Sequence, residues 1–255
     1  MLHRVRHGER TDLPSLLIVH GLFGSARNWG AIAKRLADSR MVVTVDMRNH
    51  GASPFADSHS YAEMARDLAE VIEAEGAPMD VVGHSMGGKA AMVLALTRPD
   101  LVNRLVVADI APVAYDHSQS RYIHAMRALP LEDLHSRTEA NARFAALVPE
   151  AQVRAFLLQS LDLKASPPCW RLNLDVLERD MGAITGWPDD GAYTPFSGPT
   201  LFLSGGNSDY VRSEHRPGIK SLFPKARMAK LPDAGHWLHA EKPREFEQTL
   251  RVFLD

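Results

Sequence analysis

The stretch Gly83-His84-Ser85-Met86-Gly87, followed by Gly88, sets one serine between glycines. Asp80 to Gly83 before it is a β-rich run, and Gly87 to Leu96 after it is a run of small and apolar residues suited to a helix. A serine on a tight strand-to-helix turn is held with strained backbone. Its hydroxyl then stands clear of the sheet edge, and the flanking glycines let neighbouring chain approach closely. The positive end of the following helix points to the same place. The chemistry this arrangement suits is nucleophilic attack on a carbonyl carbon. The rival reading, an ordinary serine in a glycine-rich turn, leaves the strand–turn–helix context unexplained.

A serine hydroxyl is a weak nucleophile at neutral pH and needs an adjacent base. Among twelve histidines, His236 in Asp233-Ala234-Gly235-His236-Trp237 is the candidate, because it lies between the last expected strand and the last expected helix. His239 completes an H-x-x-H pattern, but no third ligand is spaced to join it, so a structural role and no metal are expected. The charge on a tetrahedral intermediate needs two backbone N–H donors. Met86, directly after the nucleophile, should supply one, and Leu22 in His20-Gly21-Leu22-Phe23-Gly24 the other. Phe23 is expected to line the substrate pocket. The single cysteine, Cys169, follows Pro167 and Pro168 outside any nucleophile motif and excludes an intrachain disulfide.

These residues need a frame to hold them. Strands are expected at Leu16–His20, Met41–Val45, Asp80–Gly83, Arg104–Asp109, Thr200–Ser204 and Ala226–Leu231. Helices are expected at Ser25–Ala37, Tyr61–Glu75, Gly87–Leu96, Ser213–Leu222 and Arg244–Leu254. Strands alternating with helices predict an α/β fold with a parallel sheet covered on both faces. From Ala111 to Ser197 no buried strand is evident. Helices are expected there at Gln119–Leu129, Arg137–Ala146, Glu150–Leu161 and Trp170–Met181. The domain reading is therefore a core of residues 1–110 and 198–255, interrupted by a helical cap over 111–197.

Four segments resemble the α/β-hydrolase superfamily, over nearly the whole chain. They are His20-Gly21-Leu22-Phe23-Gly24-Ser25, Asp46-Met47-Arg48-Asn49-His50-Gly51-Ala52-Ser53, Gly83-His84-Ser85-Met86-Gly87-Gly88-Lys89 and Ala234-Gly235-His236-Trp237. The second segment usually reads D-x-R-G-x-G-x-S in that superfamily. The Asn-His version, with Lys89 after the serine turn, is similar to a narrower branch, the YbfF-like bacterial esterases and their mitochondrial relatives. The resemblance implies an α/β-hydrolase fold, a mostly parallel central sheet flanked by helices with an inserted helical cap. It also implies hydrolysis of short- to medium-chain carboxylic esters or thioesters without a cofactor.

A third residue must orient the histidine and stabilise its imidazolium. Most of the superfamily draws this acid from the loop after the strand read here as Thr200–Ser204. In Gly205-Gly206-Asn207-Ser208-Asp209-Tyr210-Val211, Ser208 falls nearest that position and Asp209 is displaced by one. Asp109, ending a strand in Val107-Ala108-Asp109-Ile110-Ala111-Pro112, is the favoured acid, in text shared with the YbfF-like branch; Asp209 is the alternative. Asp46, Arg48 and His50 are expected to organise a loop beneath the site. Arg121, His124 and Arg127 are expected on a solvated helix face rather than against an anionic substrate tail. Trp170 and Trp187 are expected to pack, one of them facing an acyl channel.

Bulk properties narrow the remaining choices. Of 255 residues, 29 are Lys or Arg and 31 Asp or Glu, so a formal charge of -2 offers no electrostatic attraction to nucleic acid or anionic membrane. No run approaches a membrane span, and Met1 to Arg10 lacks the apolar core of a signal peptide, which points to the cytoplasm. The expected partner is a small-molecule ester or thioester, with the chain a monomer or homodimer. A serine at position 85 argues against dehalogenase and epoxide-hydrolase chemistry, which use aspartate there. A carbon–carbon hydrolase or cofactor-free lyase with the same triad is the alternative enzyme, and a non-catalytic small-molecule binder the alternative from another class.

Overall fold

The computed structural model describes residues 1–76, 78–188 and 193–255. The expected segment 111–197 is therefore followed except at 189–192, which lie outside the described residues.

Nine strands and eleven helices are described. The strands are β1 (Arg4–His7), β2 (Leu16–Val19), β3 (Val42–Val45), β4 (Met79–His84), β5 (Val102–Ala108), β6 (Leu161–Asp162), β7 (Cys169–Trp170), β8 (Thr200–Gly205) and β9 (Ala226–Leu231). The helices are α1 (Gly30–Leu36), α2 (Tyr61–Glu75), α3 (Met86–Thr97), α4 (Ser120–Ala128), α5 (Arg137–Phe144), α6 (Ala151–Leu157), α7 (Leu174–Arg179), α8 (Met181–Thr185), α9 (Arg216–Leu222), α10 (Leu238–Glu241) and α11 (Pro243–Leu254).

Among the described residues the main sheet has seven strands in the order β1-β3-β2-β4-β5-β8-β9, parallel except for β1. The chain leaves β2 toward β3 on one side and returns to β4 on the other. The order therefore reverses beside β2, and an open α/β sheet leaves a crevice at the carboxyl ends of its strands there. Strands β2, β3, β4 and β8 are buried at every residue, as parallel strands covered on both faces must be.

Strand β1 escapes the sequence reading because its text, Arg-Val-Arg-His, has no apolar run. It is an edge strand whose Arg4 and Arg6 reach Glu75 at the end of α2, each with a nitrogen at 2.7 Å. Charges on an edge discourage pairing with another chain. Helix α2 runs over the expected residues because both ends are signalled. Ser60 and Glu63 form a reciprocal cap, and Gly76 closes the helix at φ 85°. Helix α3 is buried on all sides apart from its last residue, which explains why its text is apolar except for Lys89 and Thr97.

Two expectations are refined between β5 and β8. The expected helix at 150–161 ends at Leu157 and tightens into a short 3₁₀ turn, and the one at 170–181 begins at Leu174, capped by Asn173. Between them β6 and β7 form a two-residue hairpin with Leu161 opposite Trp170, too short to leave an alternating pattern. The segment is fastened to the loop after β3: Gly51 N–H donates to Arg171 O (2.8 Å) and Asn173 N–H to Asn49 O (3.0 Å).

Arg40 and Asp80 form a buried pair at 2.8 Å with the two side chains 2% and 0% exposed. Asn103 supplies a further donor to Asp80 at 2.7 Å. Replacing Arg40 by Met strands a carboxylate in the core, and the expected loss is about 3–5 kcal/mol. Urea denaturation of Arg40→Met checks this; a loss under about 1 kcal/mol would mean that the carboxylate finds water or a proton at little cost.

Candidate active site

Loops at the carboxyl ends of β2, β4, β5, β8 and β9 converge on one cavity of about 260 Å³. Ser85 sits between β4 and α3 with φ 53° and ψ -121°, a conformation a side-chain-bearing residue rarely adopts. Its N–H donates to Ala108 O at 3.0 Å. The turn closes only because glycines flank it. A Cβ on Gly83 would meet Gly87 O at 2.4 Å, and one on Gly87 would meet His20 O at 2.4 Å.

Ser85 Oγ lies 3.1 Å from His236 Nε2, and His236 Nδ1 lies 2.8 Å from Asp109 Oδ2. An ionised carboxylate only accepts, so Nδ1 carries the proton and Nε2 is left to accept from the serine hydroxyl. Asp109 is fully buried and its backbone is also turned to positive φ, at 52°. Its Oδ1 accepts from Gly205 N–H at 3.0 Å and its Oδ2 from the Ser208 hydroxyl. The imidazole of His236 is stacked on Tyr210, centroids 4.1 Å apart and planes 19° from parallel.

Asp209, the alternative acid, is exposed and makes no hydrogen bond to His236; its carbonyl accepts from Arg212. The preceding residue, Ser208, is the one turned inward, onto Asp109. Ser208 falls nearest the usual acid position in the sequence, and that alignment is the available signal for its inward side chain. The stacking of Tyr210 carried no signal, since a tyrosine in a loop is unremarkable as text.

Leu22, Phe23 and Met86 all line the cavity. No protein acceptor among the described residues takes the N–H of Leu22 or Met86. For Met86 this follows from its place at the start of α3, where N–H groups lack intrahelical partners. Phe23 has φ 63°, donates its N–H to His50 Nε2 (3.1 Å), and accepts at its carbonyl from Ser160 (2.8 Å).

The loop after β3 is the brace for this loop. Asp46 accepts from Ala26 N–H (2.7 Å) and Ala52 N–H (2.8 Å), His20 Nε2 accepts from Met47 N–H (2.9 Å), and His50 Nδ1 faces Arg48 O (2.9 Å). Arg48 turns away from Asp46 and pairs with Asp67 and Glu63 on α2. Asn49, at φ 64°, accepts at Oδ1 from Ala56 N–H and Asn173. The Asn-His pair therefore has two separate duties: His50 holds the Phe23 loop and Asn49 holds the 111–197 segment.

The remaining sequence candidates fall elsewhere. His239 lies under the site, stacked on Trp29 with centroids 4.0 Å apart. No group of three His, Cys, Asp or Glu among the described residues is arranged to hold a metal. Arg121 pairs with Glu150, His124 with Glu178, and Arg127 with Asp175 and Glu178, all outside the cavity. Trp170 donates to Met126 O and Trp187 stands against Tyr193; contrary to expectation, neither lines the cavity among the described residues. The aromatic rings at the cavity come from other residues, Tyr122, Phe156 and Trp237 among them. Cys169 is exposed and unpaired.

Burial lowers the pKa of the histidines that brace these loops: His20 to about 4, His50 to about 3 and His239 to about 3. His59 and His84 are also pushed well below the ordinary value, first by burial and then by neighbouring histidines. All five are neutral at pH 7, where each can both donate and accept a hydrogen bond.

A sequence model of the family described as alpha/beta hydrolase fold matches residues 14–243. The chain is 43% identical over 251 residues to the "sn-1-specific diacylglycerol lipase ABHD11" of Mus musculus, covering 95% of this chain and 81% of that protein. It is 38% identical to "Esterase YbfF" of Escherichia coli over 243 residues, covering 94% of this chain and 92% of that one. A solved structure, "Marine microorganism esterase", superposes with a TM-score of 0.93 at 38% identity, covering 99% of both chains.

These five buried histidines predict acid lability. In the unfolded chain each titrates near 6.5, so between that pH and the folded values the unfolded state binds more protons. Their contribution to stability is complete above pH 6.5 and declines as pH falls toward 4 and 3, each histidine adding up to about 1.4 kcal/mol per pH unit. Melting temperatures taken from pH 7.5 to 4.5 should fall steeply below 6.5. A flat profile down to pH 5 would show that these rings are not buried neutral.

Proposed function

The chain belongs to the α/β-hydrolase family, in the branch that holds the E. coli esterase, and on that premise we propose that it is a serine esterase working through an acyl-enzyme on Ser85. One observation carries the proposal: the unbroken chain of hydrogen bonds Asp109–His236–Ser85 at the floor of a cavity.

In the proposed cycle His236 Nε2 takes the proton of Ser85 as Oγ attacks the ester carbonyl. The N–H groups of Leu22 and Met86 receive the developing oxyanion; donors so preorganised need no rearrangement as charge appears. Asp109 keeps Nδ1 protonated and offsets the positive imidazolium. Two further donors, from Gly205 and Ser208, hold that carboxylate in place. His236 then protonates the leaving alcohol or thiol, and water repeats the sequence on the acyl-enzyme.

Residues 111–197 act as a cap in this reading. Tyr122, Phe156, Leu157 and Ile184 from that segment close the cavity over Ser85 and exclude bulk water. The cavity size favours short- to medium-chain acyl groups. Two of the relatives are named an esterase and a diacylglycerol lipase, which supports an ester over a carbon–carbon bond as the reacting group.

Hydrolysis of p-nitrophenyl acetate, butyrate and octanoate tests the proposal. Ser85→Ala should abolish turnover. Asp109→Asn should lower kcat by about 10³–10⁴-fold, because an amide favours the wrong imidazole tautomer. Asp209→Asn should stay near wild type. Collapse in Asp209→Asn with Asp109→Asn spared would reassign the acid, and turnover that survives Ser85→Ala would end the acyl-enzyme mechanism.

A further inference from the structure

Lys89 is one of two buried Lys or Arg side chains among the described residues, 1% exposed. The other, Arg40, faces Asp80. Among the described residues Lys89 pairs with no carboxylate; its side-chain nitrogen is held by dipoles. Nζ donates to Thr185 O at 2.9 Å and to Gly186 O, and lies 4.8 Å from the Tyr115 ring centroid and 5.7 Å from that of Tyr61. An ammonium taken out of water at this cost is retained only where its hydrogen bonds are well made.

Those hydrogen bonds join two parts of the molecule. Lys89 lies one turn beyond the nucleophile, its N–H bonded to Ser85 O at 3.1 Å. Thr185 and Gly186 end α8, where carbonyls have no partners within the helix. The neighbouring carbonyl, Ile184 O, accepts from the Tyr61 hydroxyl at 2.5 Å, and Thr185 O also accepts from Tyr115 N–H at 3.0 Å. The end of α8 is thereby bolted to the nucleophile helix, with the lysine stem crossing from one to the other.

Tyr61, Lys89, Tyr115, Ile184 and Thr185 form one end of the cavity. His236 is separated from that end by the rings of Tyr210 and Tyr115, whose centroids are 5.2 Å apart. His236 must reach the leaving group to protonate it, so the acyl arm extends the other way, toward Lys89. We propose that Lys89 is a specificity-determining residue: by bolting α8 to the nucleophile helix it closes the acyl end of the cavity and limits the acyl chain accepted. This inference rests on the serine-esterase reading above.

Lys89 also gives the limit a pH signature. Burial lowers its pKa to about 7, so it is an ammonium below that pH and a weaker-donating neutral amine above it. Among the described residues the titratable groups that face it are Tyr61, Tyr115 and His117. Burial raises both phenols far above neutrality, and His117 is lowered by burial, by His236 and by Lys89 itself. Comparing two substrates on one enzyme cancels any pH effect on the catalytic steps that both share.

The experiment measures kcat/KM for p-nitrophenyl octanoate relative to butyrate between about pH 6 and 8.5. In wild type the ratio should rise severalfold through about pH 7 as the bolt weakens. Lys89→Met should raise it at least about tenfold at pH 6, the scale of discrimination that a few methylenes provide, and remove its pH dependence. Lys89→Arg, a cation that does not titrate, should keep the low ratio at every pH. Tyr61→Phe should raise the ratio while keeping the pH dependence. An unchanged ratio in Lys89→Met, or a flat ratio in wild type, overturns the proposal. Should Lys89→Met fail to fold, the wild-type and Lys89→Arg pH series decide it alone. A wild type inactive on every ester, or turnover that survives Ser85→Ala, would instead remove the esterase reading and this inference with it.

Discussion

At Ser85 the chain passes from β4 into α3 with φ at 53°, a strained conformation that costs about 1–3 kcal/mol and persists only when its surroundings allow no other. The surroundings do so from three sides. Ala108 O holds the serine N–H, Gly83 lies against Gly87, and Gly87 lies against the end of β2 at His20. The serine turn is in this way the joint at which β2, β4, β5 and α3 are locked together. A side chain at either glycine would part them. Everything else at the site is measured from this joint: Asp109 continues β5 directly beside it, and Met86 is the first residue of the helix it starts.

The second layer consists of neutral histidines. His20 and His50 each accept from a backbone N–H at one ring nitrogen and face a carbonyl with the other, at Met47 and Gly21 for one, and at Phe23 and Arg48 for the other. A lysine or a carboxylate could not fill such a place, because each offers only donors or only acceptors once ionised. Desolvation keeps these rings uncharged, and being uncharged lets them bridge two loops. The Leu22–Phe23 loop is held in position by that bridge rather than by its own short sequence.

The 111–197 segment shares one apolar cluster with the core, and polar contacts are added across the boundary. Asn49 with Asn173, Ser160 with Phe23, the Asp180 carboxylate with His59 N–H, and Lys89 with α8 all cross the boundary. Directional bonds of this kind fix the orientation of the segment over Ser85, whereas apolar contact alone would leave it free to slide.

Local text determined a good deal by itself. The serine turn, His236, the strand–helix alternation and both ends of α2 are written in contiguous residues, because steric limits at φ above zero, capping hydrogen bonds and hydrophobic periodicity all act over a few positions. What the sequence left open depended on partners far away along the chain. Strand β1 is polar and becomes a strand only by pairing with β3. Asp109 and Asp209 are equally acidic as text, and the contest between them turns on whether a side chain 127 positions from His236 meets its ring; the fold brings Asp109 to 2.8 Å and turns Asp209 to the surface. The duties of His50 and Asn49, the stacking of Tyr210 and the burial of Lys89 beneath α8 arise in the same way. Hydrogen bonds and desolvation depend on distance in space, and only the tertiary structure sets that distance for residues remote in the chain.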